Sequence, residues 1–281
     1  MVLGTAQFGM DYGIANISGK PSKKEVFAIL DLAWEKGIRC FDTAPGYGSE
    51  ALLGEFITGN DLQDEAKLMT KIPSLEKSSN YRKSILLSLE TSLNHLGSPI
   101  DVLFFHDPGD FELLLKDWKY FEKLLYDYPI STLGVSVYEP EEIEKLSGCV
   151  FKLAFQFPYN VLDRRFENIR MLEGKRCARS VFLQGLLASS NDLRPDTPKE
   201  LSDLQKEYHI ILADFHLDPV RFAVSFVATH DTVDYFLIGV DSAKQLHDIL
   251  ALELYKKKKM NIMDTIQKIT TEKLLDPRKW N

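Results

Sequence analysis

The chain has 281 residues, near the length of one α/β barrel but also within reach of two medium-sized domains, so length leaves the domain count open. Apolar residues make up 44% of the chain and charged residues 27%, which excludes the disordered and fibrous classes. The net charge is -7, and apart from the lysine run at residues 256–259 the basic residues are scattered. We therefore expect no nucleic-acid partner, and we interpret the lysine run as a solvated helix end or tail.

The cysteines and the opening segment bear on the cellular compartment. Cys40, Cys149 and Cys177 are far apart in sequence, which predicts neither a disulfide framework nor a zinc site and fits a reducing cytoplasm. The opening MVLGTAQFG lacks a basic segment followed by an apolar one, and no apolar run approaches the ~18 residues of a membrane span. We expect a cytoplasmic protein with no membrane partner.

The first structural unit is a strand, a loop and a helix. Residues 2–6 are predicted to form an apolar strand, and a glycine-rich loop follows. Ser22 and Glu25 have the spacing of a capping box, which predicts the start of a helix whose apolar residues recur on one face. Gly37 stands where a helix is expected to end.

The same alternation continues along the chain. We predict further strands at residues 38–43, 67–71, 101–105, 132–136, 153–157, 180–183 and 235–238. Helices are predicted between them, near residues 50–57, 85–96, 114–125, 140–146, 166–174, 219–230 and 242–252.

Several of these strands are short continuous apolar runs, such as VLFF and YFLI, which is typical of parallel strands covered on both faces. Eight strand–helix units favour a closed barrel over a doubly wound sheet. We therefore predict an α/β fold of the (β/α)8 TIM-barrel class, with one domain over residues 1–281. Residues 260–281 are predicted to form a C-terminal extension that packs as a helix across the barrel.

Four polar residues stand at or just beyond the ends of three consecutive predicted strands. Asp42 ends GIRCFD, Tyr47 lies in the following turn, Lys71 ends KLMTK and His106 ends VLFFH. In α/β barrels the chemistry lies at the carboxyl ends of the strands, and barrel closure places these three ends side by side. The four side chains are therefore predicted to converge on one rim.

Each of the four residues also has an ordinary structural interpretation. Tyr47 could be a loop tyrosine among turn-forming glycines, His106 a turn residue, and Lys71 half of a structural ion pair with Asp42. Convergence of all four on one rim favours an active site instead.

The chemistry that needs these residue types is proton transfer to a carbonyl oxygen while hydride reaches the carbon. A phenol is a poor acid at neutral pH, and a nearby ammonium lowers its pKa, so Lys71 is expected to tune Tyr47. Asp42 would hold Lys71, and His106 would hydrogen-bond to the carbonyl oxygen and orient it. Hydride itself requires a cofactor, since no side chain supplies it.

Several segments resemble the aldo-keto reductase superfamily: LGTAQFG, GIRCFDTAPGYGSEALLGEFI, LMTKI, DVLFFHDP, ISTLGVSVYEPEEIEKL, FQFPYN, RSVFLQGLL and FLIGVDSAKQLHDIL. The resemblance covers almost the whole chain. It implies a NAD(P)H-dependent oxidoreductase that reduces an aldehyde or ketone to an alcohol. It also implies that Asp42, Tyr47, Lys71 and His106 are the catalytic tetrad, with Tyr47 the general acid in reduction and the base in oxidation.

The resemblance further implies the cofactor contacts. Gly4, Thr5, Ala6 and Asp42 would lie near the nicotinamide half, and Ser136 and Gln156 would hydrogen-bond to its carboxamide. Residues 180–185 would line the pyrophosphate, with contacts from Ser180, Phe182 and Gln184. Residues 239–248 would surround the adenosine end, with contacts from Gly239, Asp241, Gln245 and Asp248.

Three positions depart from the family pattern. Val137 stands where many members have an asparagine that bonds to the nicotinamide. Arg179 stands where an aromatic residue commonly stacks on the ring, and a guanidinium can also stack there. Gly239 and Gln245 stand where members that bind a 2′-phosphate often have Lys and Arg. The family resemblance implies NADPH as the cofactor. Gly239 and Gln245 leave NADH as an alternative, because neither can pair with a 2′-phosphate. Lys244 is a candidate substitute for the missing positive charge.

The substrate is less specified than the chemistry. The resemblance implies a small carbonyl compound, and the opening LGTAQFGMDYGIAN resembles a bacterial subgroup associated with sugar metabolism, which implies a sugar-like carbonyl. Phe8, Tyr12, Phe157 and Tyr159 either wall the pocket or pack in the core.

Two alternative functions remain open from the sequence. One is a cofactor-binding regulatory subunit of the same fold with little turnover. The other is an unrelated barrel lyase or isomerase in which Lys71 forms a Schiff base and no nucleotide is needed.

Overall fold

A computed structural model of the protein describes residues 1–75, 80–167, 173–189, 193–256, 262–269 and 271–280. Within these residues eight parallel strands close into a barrel, in which each strand pairs with the next and the last pairs with the first. The predicted (β/α)8 barrel in a single domain is confirmed. The strands are β1 Val2–Gly4, β2 Cys40–Asp42, β3 Lys67–Ile72, β4 Ile100–Phe105, β5 Ile130–Ser136, β6 Ala154–Pro158, β7 Arg176–Arg179 and β8 Tyr235–Gly239.

The helices lie between and after the strands. They are α1 Ala6–Gly9, α2 Lys23–Glu35, α3 Glu50–Gly59, α4 Tyr81–Leu96, α5 Glu112–Lys116, α6 Trp118–Asp127, α7 Pro140–Glu144, α8 Lys199–Asp214, α9 Pro219–Ala228, α10 Ala243–Leu250, α11 Met263–Gln267 and α12 Glu272–Leu275. The predicted capping box begins α2, where the Ser22 side chain accepts from the Glu25 amide and the Glu25 carboxylate accepts from the Ser22 amide.

The apolar side chains form two layers, as expected for a barrel covered by helices. A small cluster fills the barrel interior with Val2, Met69, Val102, Phe104, Ala154 and Cys177. A larger cluster fills the space between the strands and the surrounding helices. Because the interior is packed with side chains, a ligand can bind only at an end of the barrel.

The seventh strand lies earlier in the chain than the sequence predicts. Residues 180–183 form a turn, and the strand is Arg176–Arg179, which pairs with β6 and β8. The charged residues at its two ends hide the strand in the sequence. The guanidinium of Arg176 pairs with Asp234, with a shortest N–O distance of 2.9 Å.

The helix predictions were also incomplete in two places. The predicted helix at residues 114–125 is two helices, α5 and α6, divided at Asp117. Helix α8 was not predicted, although Leu201, Leu204, Tyr208 and Leu212 recur on its buried face at helical spacing.

Parts of three predictions lie outside the described residues. These are residues 168–172 of the sixth predicted helix, residues 257–259 of the lysine run, and residues 260, 261, 270 and 281 of the C-terminal extension. The described part of the extension contains α11 and α12, and the Gln267 side chain donates to the carbonyl oxygens of Val161 and Leu162, both at 3.1 Å. Among the described helices, none is both long enough and apolar enough to cross a membrane.

Candidate active site

Four polar side chains lie at the carboxyl rim of the barrel, beside strands β2, β3 and β4. Asp42 is the last residue of β2, Lys71 is near the end of β3, and His106 follows β4 directly. Tyr47 ends a single 3₁₀ turn, Pro45–Tyr47, that follows β2. The parallel register places Asp42 beside Met69 and Lys71 beside Phe104, so the structure brings the predicted residues together on one rim.

The position of Tyr47 depends on a close backbone contact with the end of α1. A Cβ atom added at Gly9 would lie 1.8 Å from the Tyr47 carbonyl oxygen and 2.6 Å from the Gly48 carbonyl carbon. Gly48 then reverses the chain in a left-handed conformation, with φ at 70°. The glycines in this region therefore allow two loops to touch and hold the turn that carries Tyr47.

Asp42 and Lys71 form a buried ion pair. The Lys71 ammonium donates to both carboxylate oxygens of Asp42, at 2.9 and 2.7 Å, and to the Thr43 carbonyl oxygen at 2.9 Å. Lys71 is 2% exposed and Asp42 is 3% exposed. Burial lowers the pKa of Lys71, but the charge of Asp42 and the Tyr47 hydroxyl outweigh it and raise the pKa above its ordinary value. The ammonium form is therefore favoured.

Further hydrogen bonds fix the Asp42 residue. The Gln156 amide donates to Asp42 Oδ1 at 2.8 Å, across 114 residues of sequence. The Thr5 hydroxyl donates to the Asp42 carbonyl oxygen at 3.0 Å and shares a 2.8 Å hydrogen bond with the Ser49 hydroxyl. Strand β6 and the residue that directly follows β1 therefore support a pair that belongs to β2 and β3.

Tyr47 lies against the Lys71 ammonium, whose Nζ is 5.0 Å from the centroid of the tyrosine ring. Burial raises the pKa of Tyr47, and the positive charge of Lys71 offsets only part of that rise. The sequence interpretation had expected the ammonium to lower this pKa. The direction differs because the free-energy cost of removing a phenolate from water is larger than the electrostatic stabilisation that the Lys71 ammonium gives it. Tyr47 therefore keeps its proton at neutral pH.

His106 is neutral at the same rim. Burial, reinforced by the positive charges of Lys71 and Arg179, lowers the pKa of His106 to about 4. Its Nδ1 atom is buried and has no hydrogen-bond partner among the described residues. A neutral imidazole has one N–H donor, so His106 can donate one hydrogen bond to an oxygen in the site.

A cleft of about 650 Å³ opens beside these residues. Tyr47, His106, Ser136 and Gln156 line its inner end, whereas Lys71 lies behind Tyr47 and is absent from the cleft surface. All the residues predicted to contact a cofactor line this cleft: Gly4, Thr5, Ala6, Asp42, Ser136, Gln156, Arg179, Ser180, Phe182, Gln184, Gly239, Asp241, Gln245 and Asp248.

The outer end of the cleft lies along α10 and contains two carboxylates. Asp241 and Asp248 line it, and the ammonium of Lys244 pairs with the Asp248 carboxylate at 2.6 Å. The candidate positive charge therefore already has a partner. At Gly239, an added Cβ would lie 2.5 Å from the polar atoms of the Gln7 amide, so a longer side chain would have to displace Gln7.

The structure settles the positions of the four aromatic residues. Phe8, Phe157 and Tyr159 are fully buried in the core, so they do not wall the cleft, and Tyr12 alone of the four lines it. The surrounding protein partly shields Tyr12 from water, and this desolvation is the main reason that its pKa is raised to about 12.

Several residues that line the cleft were missed by the sequence reasoning, and Tyr138 and Asn16 are two examples. Tyr138, next to Val137, lines the cleft, and the guanidinium of Arg179 lies 4.1 Å from its ring centroid. Asn16, in the loop after α1, donates to Asp241 at 3.3 Å. The signal for Asn16 was its place between Gly13 and Gly19, because asparagine favours such turns.

Among the residues that the structure describes, no cluster of side chains could hold a metal ion. The side chains described above are a buried Asp–Lys pair, a protonated tyrosine and a neutral histidine beside a long cleft.

Comparison with known proteins gives matches over most of the chain. The Aldo/keto reductase family matches residues 1–268. A D-threo-aldose 1-dehydrogenase from a Pseudomonas species is 27% identical over 295 residues, which covers 86% of this chain and 88% of that protein. A norsolorinic acid reductase from Emericella nidulans is 36% identical over 303 residues, which covers 95% of this chain and 78% of that protein.

A solved structure shares the fold. A glycerol dehydrogenase from Gluconobacter oxydans superposes with a TM-score of 0.71 and 22% sequence identity, covering 94% of this chain and 90% of that one.

Proposed function

The chain belongs to the aldo/keto reductase family, and we propose that it transfers hydride between a nicotinamide dinucleotide and a small aldehyde or ketone, with Tyr47 as the proton donor. The observation that carries this proposal is the Asp42–Lys71 pair, buried directly behind the Tyr47 ring at the inner end of the cleft. An ammonium held in that place stabilises the phenolate that remains after proton transfer.

The residues of the cleft fit a dinucleotide. A volume of about 650 Å³ is within the range of cofactor sites. The side-chain NH2 of Gln156 donates to Asp42, and the side-chain oxygen of Gln156 lies 3.5 Å from the Ser136 hydroxyl. The Gln156 oxygen and the Ser136 hydroxyl are therefore available to hydrogen-bond to a carboxamide. Ser180, Phe182 and Gln184 would hold the pyrophosphate, and Asp241, Gln245 and Asp248 the adenosine half. When bound, the dinucleotide supplies the hydride that no side chain can provide.

Tyr47 acts as the general acid in reduction. It keeps its proton before the reaction, and it delivers that proton to the substrate oxygen as negative charge develops there. The phenolate then faces the Lys71 ammonium. In the oxidative direction the same phenolate accepts the proton of an alcohol.

Asp42 and His106 have positioning and binding roles. Asp42 fixes Lys71 through both carboxylate oxygens and favours its charged form. His106 is uncharged at neutral pH, so it donates a hydrogen bond to the carbonyl oxygen without competing with Tyr47 as an acid. The charged, hydrogen-bonded state of Lys71 disfavours the Schiff-base alternative, which needs a neutral, nucleophilic amine.

We propose a small sugar-like carbonyl compound as substrate. The Pseudomonas relative is named for an aldose, which supports this class, whereas the Emericella relative is named for norsolorinic acid. We propose NADPH or NADH as the cofactor. Asp241 at the outer end of the cleft forms no ion pair with a described cation and favours NADH, because a carboxylate binds ribose hydroxyls and repels a 2′-phosphate.

The test is a fluorescence titration of the purified protein with NADPH and NADH, followed by assays of cofactor oxidation with a panel of aldehydes that includes sugars. Wild type is compared with Tyr47→Phe. We expect both proteins to bind the nucleotide and only wild type to turn over.

The other outcomes point elsewhere. Failure to bind either nucleotide would refute the reductase proposal, and binding without turnover on any substrate would favour a regulatory subunit. Full activity in Tyr47→Phe would remove the proton-donor role.

A further inference from the structure

Arg179 lies at the inner half of the cleft and has no role in the mechanism above. Its guanidinium donates to the Val137 carbonyl oxygen at 3.1 Å and the Ser180 hydroxyl at 3.3 Å, and it lies 4.1 Å from the centroid of the Tyr138 ring. Its Nε atom is buried with no hydrogen-bond partner in the described part of the chain. These contacts are all with neutral groups.

The neutral environment distinguishes Arg179 from the other arginine of the same strand. Arg176, at the start of β7, donates through Nε and Nη2 to the Asp234 carboxylate. No described carboxylate forms such an ion pair with Arg179. Because a guanidinium is always protonated, Arg179 keeps an uncompensated positive charge on the cleft surface.

The strand register places this charge beside the reacting groups. Gln156 of β6 pairs with Cys177 of β7, and Cys177 packs inside the barrel. Side chains alternate along a strand, so Arg179, two residues later, projects from the same face as Cys177 at the cleft end of the barrel. It lines one cleft with Tyr47, His106 and Gln156.

We propose that Arg179 makes this cleft bind the reduced dinucleotide more tightly than the oxidised one, because its charge opposes the positive charge that the nicotinamide ring has only when oxidised. The inference rests on the proposed function. Hydride transfer requires the donor carbon within about 3–3.5 Å of a carbonyl carbon whose oxygen contacts Tyr47, so a bound dinucleotide would have its nicotinamide ring at the inner end.

The charges balance in the reaction as follows. In reduction, hydride moves with its electron pair from the ring to the carbonyl carbon, and the Tyr47 proton moves to the oxygen. The ring gains one positive charge, and Tyr47 becomes a phenolate beside the Lys71 ammonium. The phenolate therefore has a fixed counter-charge, whereas Arg179 repels the new charge on the ring and favours release of the oxidised dinucleotide.

The experiment measures the dissociation constants of NADPH and NADP⁺, and of NADH and NAD⁺, by fluorescence or calorimetry without substrate. For each dinucleotide we take the dissociation constant of the oxidised form divided by that of the reduced form. The contribution of the 2′-phosphate cancels in this ratio, because both forms carry the same phosphates. We expect Arg179→Gln to lower this ratio by about tenfold, mainly through tighter binding of the oxidised form, since a unit charge at short range in a partly desolvated site has an effect of at least this order.

Two variants serve as controls. Arg179→Lys retains the charge, so its ratio should remain near that of wild type, even if the details of packing change. Arg176→Gln removes the same charge from the other end of the same strand, where Asp234 pairs with it, and should leave the ratio unchanged.

The outcomes separate this inference from the proposed function. An unchanged ratio in Arg179→Gln, with the reduced form still bound, would overturn the role of Arg179 and leave the reductase intact. An equal loss of affinity for both forms would also overturn it and assign Arg179 to the cofactor phosphates. Absence of nucleotide binding in wild type would refute the proposed function itself.

Discussion

The two ends of the cleft are built from charged residues in different ways. At the inner end, Asp42 and Lys71 are 3% and 2% exposed, and each makes several hydrogen bonds to other strands. At the outer end, the side chains of Lys244 and Asp248 are 84% and 55% exposed, and they pair one helical turn apart on α10.

The two ion pairs therefore differ in how much they contribute to the stability of the fold. Breaking a buried pair leaves an uncompensated charge away from water and is expensive, whereas an exposed pair is screened by solvent and salt. The inner end is therefore rigid and hard to change, and the outer end can exchange one charge for another at little cost.

The largest effect is expected from Tyr47→Phe at the inner end. Loss of the phenolic proton should lower kcat by roughly 10²–10⁴-fold, the usual contribution of general acid catalysis. Affinity for the reduced dinucleotide should stay within about twofold, since the hydroxyl is not among its proposed contacts. Steady-state kinetics and fluorescence titration measure the two quantities. A parallel fall in both would mean that the variant distorts the whole cleft.

The next effect concerns stability. Lys71→Met leaves the Asp42 carboxylate buried without its cation, so the free energy of unfolding should fall by about 3–5 kcal/mol. Urea unfolding followed by circular dichroism measures it. The matched control is Lys244→Met at the outer end, where we expect a change no larger than for an ordinary surface substitution. Equal losses in the two variants would contradict the contrast between the ends.

A third prediction concerns pH and His106. The folded state lowers the pKa of His106 to about 4 from an ordinary 6.5, so the unfolded chain binds the proton more readily. Stability from this group is complete above pH 6.5 and is lost as pH falls toward 4, by up to about 3 kcal/mol. Unfolding of wild type and His106→Gln between pH 7 and 4 measures the difference. The variant should lose less stability than wild type over that window.

The outcome of the pH experiment also bears on the site. If both proteins lose stability equally between pH 7 and 4, the folded state does not lower the pKa of His106, and burial in the site does not exclude the charged imidazolium as the pH falls.

The smallest effect is expected at the outer end. Asp248→Asn should shift the preference between NADH and NADPH by a few-fold toward NADPH, since it removes negative charge and releases Lys244. Binding of both nucleotides at low and high salt measures the shift, which should shrink as salt screens it. If neither the substitution nor the salt concentration changes the preference between NADH and NADPH, Asp248 does not contact the adenosine end.

The clustering of the catalytic candidates at the inner end could be predicted from the sequence, because in a barrel of this class polar residues at the carboxyl ends of consecutive strands lie side by side. Asp42, Lys71 and His106 each end a recognisable apolar strand, and consecutive strands of a barrel are neighbours. The hydrogen bond from Gln156 to Asp42 could not be predicted in this way. It joins residues 114 positions apart on strands that are not adjacent.

The errors in the fold have local causes. Strand β7 was placed too late because the run at residues 180–183 is more apolar than RCAR, whose arginines find partners only through tertiary contacts. Helix α8 was hidden by Pro195 and Pro198, which made the whole segment look like a loop although the second proline directly precedes the first helical residue. Phe8, Phe157 and Tyr159 are in the core because burial of a large ring outweighs proximity to the rim in sequence.

Gly9 shows that a residue without a side chain can be among the least replaceable in the molecule. The Tyr47 carbonyl oxygen occupies the space that a Cβ would need. In a library of single substitutions selected for activity, alanine at position 9 would fail along with larger residues, because the requirement is for empty volume. The position of Tyr47 therefore depends on the lack of a side chain at Gly9, 38 residues earlier in the chain.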